Sequence, residues 1–322
     1  MLTGRLAPSP TGALHLGNAR SFLLAWLSIR SRGGRLILRV EDLDHPKIKH
    51  GATAAAIDDL LWLGLDYDTE PIIQSRRREI YAAALATLRA KNSAYPCVCS
   101  RADLEDAQSA PHLTDREHIF RYPGTCRDRF DSWENAARNI RPRIPVWRFD
   151  TSRISAESTF DDMFRGAQSL DLNAVFGDFA LARDPDGAGY TLAVVADDAA
   201  MGVTEVLRGD DLLDATHCQL ALYKALGFTP PRFCHVPLVV AESGQRLAKR
   251  HGDTRISSLR LAGNSPRKIL GLLAYWCGWA EFGEELSLSE ILTRYDLRTL
   301  DKSPAVLTAD VIRMLFMDTA KL

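Results

Sequence analysis

Residues 5–18 read Arg5-Leu6-Ala7-Pro8-Ser9-Pro10-Thr11-Gly12-Ala13-Leu14-His15-Leu16-Gly17-Asn18. The stretch is a polar loop rich in proline, serine and glycine, and it runs directly into apolar residues at helical spacing. Backbone N–H groups and an imidazole at the start of a helix are well suited to a nucleotide phosphate. The stretch therefore predicts a ligand-binding loop between a strand and a helix.

The residues around this loop predict a βαβ unit of a parallel sheet. A short strand over residues 2–6 precedes it, a helix over residues 14–31 follows, and Arg35 to Val40 is typical of a buried strand. Such sheets bind ligands at the carboxyl ends of their strands. The further expected elements are helices over 51–63, 75–91, 266–276, 288–293 and 304–315, and strands at Thr191 to Val195, Thr204 to Leu207 and Val236 to Val240.

Bulk composition is that of an ordinary globular protein with about two domains. The chain has 322 residues, a net charge of −1 and six cysteines, so neither a strongly basic coat nor a disulfide framework is expected. No signal peptide or membrane-spanning run is visible. We therefore expect a cytoplasmic monomer with no membrane association.

Two separated segments, the first loop and the region of Lys249, suggest adenylyl chemistry. His15 at the loop-to-helix turn can hydrogen-bond a phosphate, Gly17 lets a nucleotide approach the backbone, and Lys249 can meet the departing pyrophosphate. Taken singly, His15 is better explained as a helix-capping residue and Lys249 as a surface lysine.

Three cysteines suggest a metal clip. Cys97-Val98-Cys99 offers two sulfurs on one side, and Cys126, after the turn at Pro123 and Gly124, offers a third. Zinc favours four tetrahedral ligands and accepts thiolates well. Three free buried cysteines are the alternative interpretation.

Several segments, in the same order, resemble the glutamyl-type class I aminoacyl-tRNA synthetases. Residues 5–17 are similar to the first motif of that family. The other similar segments are Leu38 to Asp44, Trp62 to Asp68, Gln74 to Tyr81, Tyr190 to Asp197, Gly202 to Gly209, and Arg246 to Arg250 in place of the Lys-Met-Ser-Lys-Ser loop. The resemblance implies an α/β, Rossmann-like class I synthetase catalytic domain with a zinc-binding insertion and a small C-terminal helical region.

The chain departs from the general pattern at three positions. Asn18 stands where the wider class has a second histidine, and many glutamyl-type members also lack it. Arg246 replaces the first lysine of the downstream loop and keeps its charge, whereas Ala248 removes a hydroxyl that can contact phosphate.

The resemblance also implies the roles of individual residues. The glutamate pocket comprises Arg5, Leu6, Ala7, Pro8, Ser9, Glu41, Tyr190 and Arg208, and the ATP site comprises His15, Gly17, Asn18 and Lys249, with His15 and Lys249 as the catalytic residues and Mg²⁺ accompanying ATP. Arg5 or Arg208 can pair with a carboxylate, Glu41 can bind the α-ammonium group, and Tyr190 can wall the pocket. For the one structural zinc, Tyr122 is implied as the fourth ligand, and His118, Asp128 and His112 remain alternatives.

The number of residues after position 255 distinguishes between branches of the family. Fewer than seventy residues follow, which leaves no room for a large anticodon-binding region. In this the chain is similar to the glutamyl-queuosine tRNA(Asp) synthetases, which activate glutamate with ATP and transfer it to the queuosine base at the wobble position in the anticodon loop. The spacing Tyr122-x-x-x-Cys126 also fits that branch, whose relatives have a histidine where this chain has Asp128.

This interpretation divides the chain into four parts: 1–95, the first half of the catalytic domain; 96–168, the zinc-containing insertion; 169–255, the second half with the Lys249 loop; and 256–322, a helical stem-contact-like region. Two alternatives stay open. One is a truncated glutamyl-tRNA synthetase that charges the tRNA 3′ end, and the other is a non-catalytic tRNA-binding regulatory paralogue.

Overall fold

The computed structural model describes residues 1–10, 13–43, 48, 51–100, 103, 121–245, 247 and 254–316. The described strands are β1 (Thr3–Leu6), β2 (Arg35–Val40), β3 (Ile72–Ile73), β4 (Ala94–Cys97), β5 (Val146–Phe149), β6 (Glu157–Asp162), β7 (Gly166–Asp171), β8 (Ala180–Ala182), β9 (Glu205–Gly209), β10 (Arg232–Val236), β11 (Val239–Ala241) and β12 (Ala305–Leu307). The described α-helices are α1 (Leu16–Arg30), α2 (Ala52–Trp62), α3 (Arg78–Ala90), α4 (Trp133–Arg138), α5 (Leu172–Val175), α6 (Tyr190–Ala200), α7 (Ala215–Leu226), α8 (Ile256–Leu261), α9 (Pro266–Tyr275), α10 (Leu288–Arg294) and α11 (Ala309–Phe316).

Parallel strands form the centre of the molecule. β1 pairs with β2 and β2 with β3, while β9 pairs with β10, all in parallel. The two groups adjoin between β1 and β9, because Thr204 N donates to Thr3 O at 2.9 Å and Thr3 N donates to the hydroxyl of Thr204 at 2.9 Å. The predicted βαβ unit is therefore confirmed, and strand ends from both halves of the chain meet at one edge.

One predicted strand is wrong. Thr191 to Val195 lies inside helix α6, whose residues from Leu192 to Asp198 are all buried. A helix that is buried on every side presents a continuous apolar run, and such a run has the same pattern as a buried strand. Two further expectations are only partly right, because the run Val236 to Val240 is divided between β10 and β11, and residues 304–315 form strand β12 before helix α11.

The middle of the chain builds two smaller antiparallel units. β4, β5 and β8 form a sheet, and β6 and β7 form a hairpin. A backbone hydrogen bond from Met163 N to Phe233 O at 2.8 Å attaches the hairpin to β10. The hairpin therefore packs against the central strand β10.

The C-terminal helices share the apolar core of the first βαβ unit. Leu270 and Leu273 of α9 belong to the same buried cluster as Leu23 and Leu27 of α1. Ser265 caps α9 by accepting from Lys268 N, and Pro266 occupies the first helical position, where its missing N–H costs nothing. Among the described residues, no helix has the length and apolarity that crossing a bilayer requires.

Candidate active site

A cavity of about 310 Å³ opens at the carboxyl ends of the central strands. It is lined by Arg5, Ala7, His15, Gly17, Asn18, Ser21, Phe22, Glu41, Tyr190, Leu207, Arg208, Gly209, Asp211, Leu212, Leu238, Val239 and Leu247. Eight of the predicted site residues are thus brought together, although they come from two segments about 200 residues apart. This is the position in which open parallel sheets bind ligands.

The loop after β1 is fixed by its backbone. Glu41 N donates to Pro8 O at 2.9 Å, which ties the loop to the end of β2. Pro8 and Leu6 are both buried, and Leu6 lies fully within the apolar core, while Ser9 is exposed. Leu6, Pro8 and Ser9 do not line the cavity, so their assignment to the glutamate pocket remains a prediction.

Four charged side chains beneath the cavity form one buried group. Arg39 Nη1 lies 2.5 Å from Asp198 Oδ1, Arg39 Nη2 lies 3.1 Å from Glu41 Oε1, and Arg5 Nε lies 3.8 Å from Asp198 Oδ1. Burial alone lowers the pKa of Arg39, but Asp198, Glu41 and Asp197 together raise it. Burial also raises the pKa of Glu41, and the nearby cations Arg39 and Arg5 oppose that rise.

His15 is the N-cap of helix α1. Its Nδ1 accepts a hydrogen bond from Asn18 N at 3.3 Å, and its backbone is extended. Burial lowers the pKa of His15, which favours the neutral imidazole. A Cβ atom on Gly17 would lie 3.1 Å from the His15 ring, so glycine at this position keeps the imidazole in place. The capping interpretation and the ligand-binding interpretation of His15 are therefore compatible.

Arg208 enters the cavity from the end of β9 with two of its three nitrogens already bonded. Nε donates to His235 Nε2 at 3.0 Å, and Nη2 donates to Thr216 Oγ1 and Gln219 Oε1, both at 2.8 Å. Within the described part of the chain Nη1 makes no hydrogen bond, and this edge is left for a ligand. Arg5 faces the same cavity, and its Nη1 donates to Leu207 O at 3.3 Å.

Tyr190 is the first residue of helix α6, and its side chain is 41% exposed at the cavity. Leu247 is the described residue of the downstream loop that lines the cavity. Lys249, Arg246 and Ala248 lie outside the described residues. The predicted role of Lys249 therefore stays a prediction.

The three predicted cysteines lie together at the end of β4. Their sulfurs are within 4.8 Å of one another, and those of Cys99 and Cys126 are 3.6 Å apart. Tetrahedral zinc with bonds of about 2.3 Å holds sulfurs about 3.8 Å apart, so this donor set fits the ion. The Tyr122 hydroxyl lies 3.3 Å from Cys97 Sγ and 3.5 Å from Cys99 Sγ, and it accepts from Cys126 N at 2.9 Å.

The alternatives for the fourth ligand are distinguished in part. Asp128 is exposed and does not belong to the cysteine group, and His112 and His118 lie outside the described residues. The backbone holds Tyr122 firmly, because its N donates to Phe176 O and its O accepts from Asp178 N. These contacts favour Tyr122 over Asp128.

Comparison with known proteins identifies the class. The model for "tRNA synthetases class I (E and Q), catalytic domain" matches residues 1–314, and the chain belongs to this family. A glutamyl-Q tRNA(Asp) synthetase of Symbiobacterium thermophilum is 45% identical over 99% of this chain and 100% of its own length. Within the class, the chain therefore belongs with the glutamyl-Q tRNA(Asp) synthetases.

Longer relatives are matched only in part. The glutamate–tRNA ligase 2 of Halorhodospira halophila is 37% identical over 98% of this chain, but over 65% of its own length. The crystal structure of the glutamate–tRNA synthetase of Elizabethkingia anophelis superposes with a TM-score of 0.80 and 26% identity, covering 98% of this chain and 69% of that one. These likenesses confirm the predicted α/β, Rossmann-like synthetase fold.

Several site residues were missed from sequence. Asp162 bonds to His235, and His235 accepts from Arg208. Thr216 and Gln219 accept from the same guanidinium. Asp162 belongs to the middle of the chain, and His235 to a strand that was predicted only from Val236 onward. Spacing along the sequence carries no signal for such a contact, because it depends on tertiary pairing.

Proposed function

We propose that this enzyme activates glutamate with ATP and transfers the glutamyl group to the queuosine base at the wobble position of tRNA(Asp). The observation that carries the proposal is the full-length match to glutamyl-Q tRNA(Asp) synthetases. In addition, eight of the predicted site residues of this chain, two of them arginines, line one cavity. The reaction makes an aminoacyl-adenylate first and an ester to the modified base second.

Glutamate carries two carboxylates and one ammonium group, and the cavity offers partners for each. Arg208 presents Nη1 to a carboxylate, and Arg5 adds a second cation on the same side. Glu41, held by Arg39, is the anion for the α-ammonium group. We assign Tyr190 to the open side of the pocket, and Leu6 to Ser9 to the loop whose Ala7 lines the cavity.

The ATP site lies at the start of helix α1. Backbone N–H groups at a helix amino terminus favour phosphate, and His15, Gly17 and Asn18 occupy that turn, where Leu16 N and Asn18 N already donate to Thr254 O and His15 Nδ1. Lys249 follows Leu247, which lines the cavity, by two residues in the sequence. We assign it, with Mg²⁺, to the charge of the pyrophosphate.

The chemistry requires positioning more than proton transfer. An oxygen of the glutamate α-carboxylate attacks the α-phosphorus of ATP, and the bond to pyrophosphate breaks. A hydroxyl of the queuosine ring then attacks the glutamyl carbonyl, the hydroxyl proton passes to solvent, and AMP leaves. Since AMP is a good leaving group, the chain's residues act by binding and electrostatics.

The cysteine group would hold one structural Zn²⁺ through Cys97, Cys99, Cys126 and Tyr122. The ion would fasten a segment that contributes only a small apolar cluster of its own. We propose the same division of the chain as above, at 95, 168 and 255, and a monomer acting in the cytoplasm, where aminoacylation substrates are found.

The test combines exchange and transfer assays. Glutamate-dependent ATP–pyrophosphate exchange should proceed without tRNA, and glutamate should be transferred to tRNA(Asp) only when queuosine is present. A matched substrate is tRNA(Asp) that carries queuosine but lacks its 3′-terminal adenosine, which should still be glutamylated. Loss of transfer to that substrate would support charging of the 3′ end instead. Absence of exchange would support a regulatory paralogue.

A further inference from the structure

A buried Asp–His pair lies behind Arg208, on the side away from the cavity. His235 Nδ1 lies 2.6 Å from Asp162 Oδ2, and both side chains are fully buried. The opposite ring nitrogen, Nε2, lies 3.0 Å from Arg208 Nε. The order Asp162, His235, Arg208 therefore links the β6–β7 hairpin to the cavity.

The proton positions in this chain of contacts follow from chemistry. An arginine Nε–H donates and never accepts, so His235 Nε2 must accept. The single proton of a neutral imidazole is then on Nδ1, and it is donated to Asp162. Burial lowers the pKa of His235, consistent with the neutral ring. The other groups facing the ring are Thr216, Phe160 and Phe233, and the charge of Arg5 also lowers the pKa of His235.

Asp162 is held in a single orientation. Its Oδ1 accepts from the backbone N of Phe164 at 3.0 Å and of Arg165 at 2.8 Å, and His235 N lies 3.1 Å from both Oδ1 and Oδ2. These donors leave Oδ2 as the oxygen that meets the imidazole proton. Backbone N–H groups thus fix the orientation of the Asp162 carboxylate, and this carboxylate fixes the imidazole proton of His235 on Nδ1. His235 Nε2 is then the acceptor that Arg208 Nε–H requires.

We propose that Asp162 and His235 are positioning residues that hold the Arg208 guanidinium with its Nη1 edge toward the glutamate carboxylate. The inference rests on the proposed function, because it takes Arg208 as a glutamate ligand. Without the pair, Nη2 of Arg208 keeps its bonds to Thr216 and Gln219, but Nε loses its acceptor. The guanidinium can then rotate about the Nη2 contacts, so Nη1 no longer has a fixed direction. Affinity for glutamate falls, and affinity for ATP does not.

Asp162→Asn tests the tautomer. The amide oxygen must take the place of Oδ1, where the backbone N–H groups of Phe164 and Arg165 converge, so the NH₂ group faces His235 Nδ1. That group donates to Nδ1 and moves the imidazole proton to Nε2, where it opposes the Arg208 N–H. We expect the KM for glutamate in exchange to rise about tenfold or more, with the KM for ATP unchanged. Asp161→Asn is the matched control, since Asp161 is the exposed neighbour on the same strand.

Two substitutions of His235 separate its two contacts. His235→Gln can place an amide oxygen where Nε2 accepts from Arg208, whereas His235→Asn can keep a donor to Asp162 but leaves Arg208 without its acceptor. We expect glutamate affinity near that of the wild type for the first and reduced affinity for the second. If the pair only holds the hairpin, both variants lower the melting temperature and the amount of active enzyme without changing the KM for glutamate, which would overturn the proposal.

Nitrogen-15 NMR of the histidines supplies a readout that needs no activity. Protonation of His235 at Nδ1 in the wild type, and at Nε2 in Asp162→Asn, is the expected result. A wild-type ring protonated at Nε2 would contradict the proposal even in an active enzyme. Conversely, a wild type with no glutamate-dependent exchange would count against the proposed function, and the NMR result would still decide the tautomer.

Discussion

Arg39 Nη1 donates a 2.5 Å hydrogen bond to Asp198 Oδ1 although both side chains are almost completely removed from water. Glu41 and Asp197 lie 3.1 Å and 4.0 Å from the same guanidinium. Arg39 thus contacts three carboxylates beneath the cavity, and it shares Asp198 with Arg5 and Asp197 with Arg77. Removal of one partner from such a group leaves uncompensated charge in a region of low dielectric.

Arg39→Met should therefore lower the free energy of unfolding by about 3–5 kcal/mol. Arg78→Met is the control, because Arg78 pairs with Asp184 where both side chains are exposed, and it should cost about 0–1 kcal/mol. Urea denaturation measures both values. Equal losses in the two variants would show that the buried group does not depend on Arg39.

Gly17→Ala should impair use of ATP by displacing the His15 ring. The new Cβ would lie 3.1 Å from two atoms of that ring, so the imidazole has to move. We expect the KM for ATP to rise severalfold, with little change in the KM for glutamate. In a His15→Ala background the clash is absent, and Gly17→Ala should then have almost no further effect. Additive effects in this double-mutant cycle would mean that Gly17 acts by another route.

Purified protein should contain about one zinc ion per chain, and Cys99→Ser should lose it. Tyr122→Phe should weaken retention of the metal during dialysis against a chelator, because it removes the hydroxyl nearest to Cys97 and Cys99. Cys218→Ala is a matched control, since Cys218 is buried in helix α7 and is not a member of the cysteine group. Metal analysis after dialysis measures all three. Full retention by Tyr122→Phe would exclude the phenol as a ligand.

Stability should depend on pH through His235. Burial lowers the pKa of the folded His235, so as the pH falls below about 6.5 the unfolded chain binds a proton that the folded protein does not. The stability advantage of the wild type over His235→Gln should therefore shrink between about pH 7.5 and pH 5.5. Asp162, whose pKa is lowered by its hydrogen bonds despite burial, stays ionised in this window. Urea denaturation at each pH gives the difference, and an advantage that grows toward low pH would contradict the assignment.

Local pattern was enough for the βαβ unit and for the cysteine group. The loop from Arg5 to Asn18, the strand of Arg35 to Val40 and the spacing of Cys97, Cys99 and Cys126 all signal their structure within a few residues. The prediction of a strand at Thr191 to Val195 was wrong because the helix that contains it is buried on every side from Leu192 to Asp198. Such a segment has no polar face whose spacing would indicate a helix. Asp162 and His235 were not found because their contact spans 73 residues, and no local rule encodes it.

The seam between β1 and β9 has a consequence for how the enzyme is made. Thr3 and Thr204 join across it, and Arg5 bonds Leu207 across the same line at a separation of 202 residues. Contacts so distant in sequence form late in folding, since a long loop must close first. During synthesis, the amino-terminal half therefore emerges with its ligand loop but without the wall that completes it. The cavity, which Leu247 also lines, can be complete only after that residue has left the ribosome.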